Sequence, residues 1–142
     1  MSVKTILRGK GGDIFSMASD ATLQMVVAEL AKRKVGALLI IDGERLAGIV
    51  SERDVVRVIA RDGPSALTSP VSAAMTQKVE TCGLDEPIHD VMSRMTASRF
   101  RHMPVVEEDR LVGVISIGDV VKERIEEAER ERDEMQAYIH SV

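Results

Sequence analysis

The sequence predicts a mixed α/β fold of tandem β-α-β-β-α repeats, followed by an extended C-terminal helix. The first observation is internal similarity: residues 45–56 fall on residues 110–121, sixty-five positions later, and Asp20 falls on Asp85 without a gap. The second is that the apolar residues of 23–31 and 88–96 share the i, i+3, i+4, i+7 spacing of one helical face. Such repetition indicates two copies of one structural unit. We expect their sheets to pack face to face around a pseudo-two-fold axis.

Each copy begins with a short extended segment, predicted over Ile14–Met17 in the first copy and Val79–Thr81 in the second. Asp20 and Asp85 follow, and aspartate is favoured at the N-cap of a helix. Pro87 suits the first turn of the helix after Asp85. The amphipathic helix is then expected to end near residue 34 or residue 99.

Two strands follow the helix in each copy and form a predicted hairpin. In the first copy they cover Ala37–Ile41 and Leu46–Val50 and are joined across Asp42-Gly43, a pair typical of two-residue turns. In the second copy they cover residues 102–106 and 111–115, with a less favourable turn at 107–109. A second helix is predicted to start at Ser51 or Ser116.

A segment rich in glycine and proline, residues 62–70, ends the first copy. We therefore predict a first repeat over 1–64, a linker over 65–69, a second repeat over 70–125 and a charged helical extension over 126–142. The last helix is expected from Gly118 to about Ile139. It carries a heptad pattern with one polar break, formed by Val121, Ile125, Ala128, Arg132, Met135, Ile139 and Val142. This pattern indicates either a dimer-forming or partner-binding helix, or a charged helix lying on its own domain.

Composition excludes several classes of function. The 19 Lys and Arg residues against 23 Asp and Glu give a net charge of −4, and aromatic residues make up only 2%, which disfavours a nucleic-acid partner. The basic run 32–34 is explained as a solvated helix C-terminus. A single cysteine, Cys82, excludes an internal disulfide and is expected to be a buried structural thiol. We expect a cytoplasmic protein with no membrane segment, no metal site and no catalytic centre.

The strand-to-helix turns carry the pattern Gly-x-x-Ser-x-x-Asp in both copies, ending at Asp54 and Asp119. One explanation is a capping box, with serine at the N-cap and an acid three residues later. The other is a ligand site, because a helix N-terminus attracts anions and a carboxylate beside a hydroxyl suits a ribose diol. Arg53 favours the second explanation, since a cation in a first helical turn is unfavourable unless an anion binds there.

With these motifs at a constant offset, residues 3–125 resemble a pair of cystathionine-beta-synthase (CBS) domains. The resemblance rests on both Gly-x-x-Ser-x-x-Asp turns, on the run Ser51–Arg57 and on residues 101–105 before the second hairpin. It implies a non-catalytic regulatory module that binds an adenosine-containing ligand in clefts between the repeats. AMP is the expected ligand, with ATP, ADP, NAD and S-adenosylmethionine as alternatives. The module would sense nucleotide level, form a homodimer and signal to a regulated enzyme or transporter.

The resemblance also implies the roles of individual residues. Asp54 and Asp119 would hold the ribose hydroxyls, while Ser51 and Ser116 would approach the ribose or a phosphate. The remaining predicted ligand-binding residues, which line the adenine or supply positive charge, are Ile14, Val35, Gly36, Ala37, Arg53, Val79, Arg101, His102, Met103 and Pro104.

Three alternatives stay open at this stage. His102 is explained equally well as a structural histidine. Lys10, in a Gly-Lys-Gly-Gly sequence that lacks the Walker pattern, is expected to lie in a flexible turn and is a further candidate cation for phosphate. The whole chain could also be a structural or dimerisation module with no physiological nucleotide.

Overall fold

The computed structural model describes residues 1–141, and its contacts divide the chain into two compact units. The central unit is Ile14–Val79. The flanking unit joins Met1–Asp13 to the residues from Glu80 onward. Its first element is helix α1 (Val3–Lys10), which lies within the predicted first repeat in the sequence but belongs to the unit that contains the second. The contacts therefore group the chain differently from the repeat boundaries, which stay a prediction.

The central unit contains a three-stranded sheet in the order β1-β2-β3. Strand β1 is parallel to β2, and β2 is antiparallel to β3. Two short 3₁₀ helices close the unit, at residues 64–68 and 71–73. Its main elements are β1 (Ser16–Met17), α2 (Leu23–Arg33), β2 (Ala37–Asp42), β3 (Arg45–Ser51) and α3 (Glu52–Asp62).

The flanking unit contains an antiparallel two-stranded sheet. Its elements after α1 are α4 (Ile88–Ser98), β4 (His102–Glu107), β5 (Arg110–Ser116) and α5 (Ile117–His140). The extended strand expected at Val79–Thr81 is wrong for this copy, since only an isolated parallel bridge between Cys82 and Val105 forms there. The long α5 confirms the predicted C-terminal helix, although Val142, the last position of the heptad pattern, lies outside the described residues.

The duplication is visible in the backbone as well as in the sequence. Each hairpin has a register shift, between Ile40 and Ile41 in one unit and sixty-five positions later, between Val105 and Val106, in the other. The first helix of each repeat ends in a left-handed residue, Lys34 with φ 56° and Arg99 with φ 58°. The equivalent irregularities confirm that both copies share one β-α-β-β-α plan, shortened at its first strand in the second copy.

The predicted N-caps of α2 and α4 are wrong by two residues. Thr22 caps α2 by accepting a hydrogen bond from the Met25 amide at 3.2 Å, and Pro87 occupies the cap position of α4. In both cases a backbone bridge sets the start of the helix: Thr22 pairs with Pro70, and Pro87 pairs with Ser2. These long-range bridges override the local preference for Asp20 and Asp85.

The hairpin turns also differ by one residue from the prediction. Asp42 pairs with Arg45, so the first turn consists of Gly43 and Glu44. Gly43 has φ 63°, which a glycine adopts at little cost. The corresponding turn of the second copy is made of two acidic residues at φ 50° and 62°, positions 108 and 109. Tight hairpin turns require this positive φ, which explains why the acidic turn is the less favourable one.

Each unit has its own apolar core. In the central unit the helices pack on the sheet through a cluster that includes Leu23, Val26, Leu30, Leu38, Ile40, Val50, Val55 and Val58. In the flanking unit α1 contributes Val3 and Ile6 to a cluster with Ile88, Val91, Met95, Met103, Val105, Ile115 and Val120. Cys82 lies in the second cluster, and burial raises the pKa of its thiol to about 12. It is therefore the buried structural thiol that the sequence predicts.

The first glycine of each Gly-x-x-Ser-x-x-Asp motif is explained by packing. A Cβ at Gly48 would lie 2.7 Å from the carbonyl oxygen of Thr76, which is fixed by a backbone bridge to Ile49. A Cβ at Gly113 would lie 2.8 Å from Cδ2 of Leu7 in α1, the end of a flexible side chain. The neighbour of Gly48 therefore cannot move aside, whereas the neighbour of Gly113 can.

Replacing Gly48 with alanine is expected to lower the free energy of unfolding by about 1–3 kcal/mol, because the backbone must shift to relieve the contact. The matched change Gly113→Ala should cost less, since Leu7 can change its rotamer. Urea unfolding of both variants measures the difference. Equal losses would contradict this packing explanation.

Candidate functional site

The start of α3 brings together the predicted residues Ser51 and Asp54. The Ser51 side chain accepts a hydrogen bond from the Asp54 amide at 3.3 Å, while Asp54 Oδ2 accepts bonds from the Ser51 amide at 2.9 Å and from its hydroxyl at 3.1 Å. This reciprocal pattern is a capping box and confirms that α3 starts where the sequence predicts. Asp54 is charged and nevertheless buried, with 8% of its surface exposed.

Asp54 has a cationic partner that the sequence analysis did not assign. The Arg57 guanidinium donates to Asp54 Oδ1 at 2.6 Å, from one helical turn further along α3. Both carboxylate oxygens of Asp54 are therefore already engaged, one by the cap and one by an exposed arginine. The i, i+3 spacing of an acid and an arginine was the signal available in the sequence.

The start of α5 repeats the same box with Ser116 and Asp119. The Asp119 amide donates to Ser116 Oγ at 3.2 Å, and the Ser116 amide donates to Asp119 Oδ2 at 2.8 Å. Here the cation is Lys10, whose Nζ donates to Asp119 Oδ2 at 2.7 Å and to the carbonyl oxygen of Val114 at 2.9 Å. The flexible turn expected at Lys10 is wrong, because Lys10 is the last residue of α1 and is held at both acceptors.

Lys10 changes the electrostatics of Asp119. Burial raises the pKa of Asp119, but the hydrogen bonds from Lys10 and from Ser116 together lower it by more than burial raises it. The net pKa therefore lies below its ordinary value of 3.8. Because the folded-state pKa is the lower one, this pairing stabilises the fold above pH 3.8, and that stabilisation is lost as the pH falls through the folded-state value. The carboxylate is thus ionised at neutral pH and able to accept hydrogen bonds from a diol.

The segments predicted to line the adenine lie beside these turns. In the central unit Ala37 pairs with Ser51, and the Gly36 carbonyl accepts a hydrogen bond from the Glu52 amide at 3.0 Å. In the flanking unit His102 pairs with Ser116 in the same way. The equivalent carbonyl, that of residue 101, accepts from the residue 117 amide at 2.8 Å. The pre-hairpin segment and the helix N-terminus are therefore joined within each unit.

The other predicted site residues differ in their exposure. Met103 is fully buried and packs in the core of the flanking unit. The Pro104 carbonyl accepts a hydrogen bond from the Cys82 amide at 3.0 Å, so Pro104 takes part in backbone pairing. Arg53 and Arg101 are exposed. The half-buried residues of the set are Ile14, Val35, Gly36, Ala37, Val79 and His102. Val79 belongs to the central unit, and its role at the second repeat stays a prediction.

Across residues 1–141 we find no group of three or more His, Cys, Asp or Glu side chains arranged to hold a metal ion. In the same part of the chain, no helix combines the length and apolar character needed to cross a membrane.

Two repeated strand-to-helix turns, each presenting a serine, an aspartate and a cation, define a tandem-repeat α/β protein. The family model for the CBS domain matches residues 11–61 and 71–126, so the chain belongs to the CBS domain family and carries two copies of the domain. Among curated proteins, it is 31% identical to the mitochondrial CBS domain-containing protein CBSX3 of Arabidopsis thaliana, over 97% of this chain and 71% of that protein.

Solved structures share the fold. The CBS-domain protein ATU1752 from Agrobacterium tumefaciens is 40% identical, with a TM-score of 0.85 over 87% of this chain and 99% of that one. PAE2072 from Pyrobaculum aerophilum, complexed with AMP, is 28% identical, with a TM-score of 0.73 over 84% and 89%. The CBS domain pair of protein MJ0100, in complex with 5'-methylthioadenosine and S-adenosyl-L-methionine, is 25% identical, with a TM-score of 0.76 over 86% and 94%.

Proposed function

We propose that this protein is a non-catalytic regulatory module that binds adenosine-containing ligands at the Ser-x-x-Asp turns. The observation that carries the proposal is the pair of aspartates, each fixed at a helix N-terminus by a capping box with Ser51 or Ser116. A carboxylate held in this way can accept a hydrogen bond from a ribose hydroxyl, and the positive end of the helix dipole favours an anionic phosphate. The complexes of PAE2072 with AMP and of MJ0100 with adenosine derivatives support this ligand class.

AMP is the ligand that we propose first, with ATP, ADP, NAD and S-adenosylmethionine as alternatives. The exposed Arg53 and the segment at Arg101 and His102 would supply positive charge for phosphate groups. Binding would shift the population of conformers and thereby signal nucleotide level to a regulated enzyme or transporter. Within the cell we propose a cytoplasmic location.

Calorimetric titration with each of these ligands tests the proposal. We expect at least one of them to bind, and Asp54→Asn or Asp119→Asn to weaken the matching site about tenfold, because the amide is neutral and has one acceptor oxygen fewer. Asp62→Asn is the control, since Asp62 pairs with Arg61 at the exposed end of α3. The proposal fails if no ligand binds at millimolar concentration, or if both site variants bind like the control.

A second candidate function is self-assembly through α5, and one observation favours it. The apolar residues of the heptad pattern are exposed: Val121 is 43% exposed, Ile125 54%, Met135 66% and Ile139 63%. Every residue from Ala128 to the end of α5 is exposed. Exposed apolar residues that follow a heptad spacing are typical of a helix that pairs with another helix.

A second copy of this chain is the partner that best matches the exposed apolar residues of α5. If two α5 helices pair antiparallel, Ile125 of each lies opposite Met135 of the other, and Val121 lies opposite Ile139. The same register sets the long Arg132 against the small Ala128. A parallel pair would instead place the two Arg132 side chains against each other, which like charges disfavour. We therefore propose an antiparallel homodimer for this second function.

A further inference from the structure

The N-terminal helix supplies a cation to the second repeat's turn. Helix α1 is fixed to the flanking unit at its start, where the Val3 amide donates to the Glu86 carbonyl at 3.1 Å and the Lys4 amide donates to the Leu84 carbonyl at 3.0 Å. Val3 and Ile6 bury their side chains in the same unit's core. The last residue of α1, Lys10, is therefore delivered to Asp119 by a rigid element and across 109 positions of sequence.

The Lys10 ammonium has donor capacity left. An ammonium group carries three N–H donors. Two of them are directed at the Val114 carbonyl and at Asp119 Oδ2, and the side chain remains 38% exposed. Lys10, Asp119 and Lys122 line the same small cavity at the junction of α1 and α5, together with Glu123 and Glu126. An anionic group bound near the α5 N-terminus could accept a hydrogen bond from the third N–H of Lys10 while Asp119 stays in place.

The central unit lacks this arrangement. Sixty-five positions after Lys10 the residue is Met75, whose thioether carries no charge. The cation at Asp54 is Arg57, on α3 itself, and its side chain is 68% exposed. A long, exposed arginine is held less firmly than a lysine fixed at two acceptors. The two turns therefore differ in the charge that they offer to a ligand.

We propose that Lys10 is the residue that makes the Asp119 site selective for phosphate-bearing adenosine ligands. This inference rests on the proposed function and names a determinant of it. Lys10 donates to a phosphate oxygen of the ligand through its third proton, while its contacts with Val114 and Asp119 hold it in position. The Asp119 site thus prefers AMP over adenosine through a side chain contributed from outside its own repeat.

The test is an NMR titration of the full chain with AMP and with adenosine, followed by the amide signals of residues 117–119, which report the second turn alone. Lys10→Met should weaken AMP binding about tenfold, the loss expected for one charge-assisted hydrogen bond, and change adenosine binding less than about twofold. Lys10→Arg should restore most of the AMP preference. Lys4→Met, on the exposed side of the same helix, is the matched control and should bind both ligands like the wild type.

The outcomes separate this inference from the function on which it rests. If Lys10→Met binds AMP as well as the wild type, the inference is overturned while the proposed function stands. If Lys10→Met loses AMP and adenosine equally, Lys10 only positions Asp119, and phosphate selectivity is again overturned. If the 117–119 amides of the wild type shift with neither ligand, the Asp119 turn binds neither and this inference is overturned, while the calorimetric titration with the full ligand set decides the proposed function. An unchanged spectrum elsewhere in the Lys10→Met variant verifies that it folds.

Discussion

Replacing Ile6 with alanine is expected to destabilise the flanking unit by about 2–5 kcal/mol, because Ile6 is only 5% exposed and fills the core around α4 and β5. The effect should appear far from the substitution in sequence. Hydrogen exchange should accelerate in α4, β4 and β5, while α2, β2 and β3, which are adjacent in sequence, keep their protection.

The control for this substitution is Lys4→Ala, on the exposed side of α1, which should leave exchange rates unchanged. This experiment distinguishes two ways of dividing the chain into structural units. If residues 1–64 form a self-contained repeat, Ile6→Ala should accelerate exchange in α2 and α3. Such a result would contradict the grouping of α1 with the residues from Glu80 onward.

The double substitution Met135→Glu and Ile139→Glu is expected to convert a dimer into a monomer and so to halve the mass measured by sedimentation. In a single chain both side chains are mostly exposed, at 66% and 63%, so the variant should keep the stability of the protomer. In the antiparallel pair they would place four carboxylates in apolar layers against Ile125 and Val121. Burying unpaired charges is costly enough to separate two helices of this length.

Asp133→Ala with Glu134→Ala is the matched control, because these two residues lie on the same helical turn outside the heptad positions. The control should sediment like the wild type. A wild type that is monomeric at every accessible concentration would exclude self-assembly through α5. A double variant that stays dimeric would assign the interface to another surface.

The repeat, the long helices and the strand-to-helix turns were predictable because they depend on local sequence. Helices α3 and α5 begin after Ser51 and Ser116 because each serine forms a capping box with an acid three residues later. The hairpin strands follow runs of β-branched and aliphatic residues, and their ends lie within one residue of the prediction. These features need no information from distant parts of the chain.

The features that the sequence did not predict depend on long-range contacts. The starts of α2 and α4 are set by bridges to Pro70 and Ser2, which no local pattern reports. The residues of α1 lie outside the aligned part of the repeat, so no second copy indicated a helix there. Lys10 meets Asp119 only because α1 folds onto the second repeat's core. Periodicity describes one segment at a time and cannot report such a pairing.

The assignment of α1 to the flanking unit bears on how the chain folds as it is synthesised. Residues 14–79 are contiguous, so all the contacts within the central unit become available before the flanking unit has been fully translated. Helix α1 emerges before them but has no core to join until α4, β4 and β5 have been translated. For that interval its apolar side chains, Val3 and Ile6, stay exposed to solvent or to chaperones. Translation therefore completes the second core last, even though its first helix is made first.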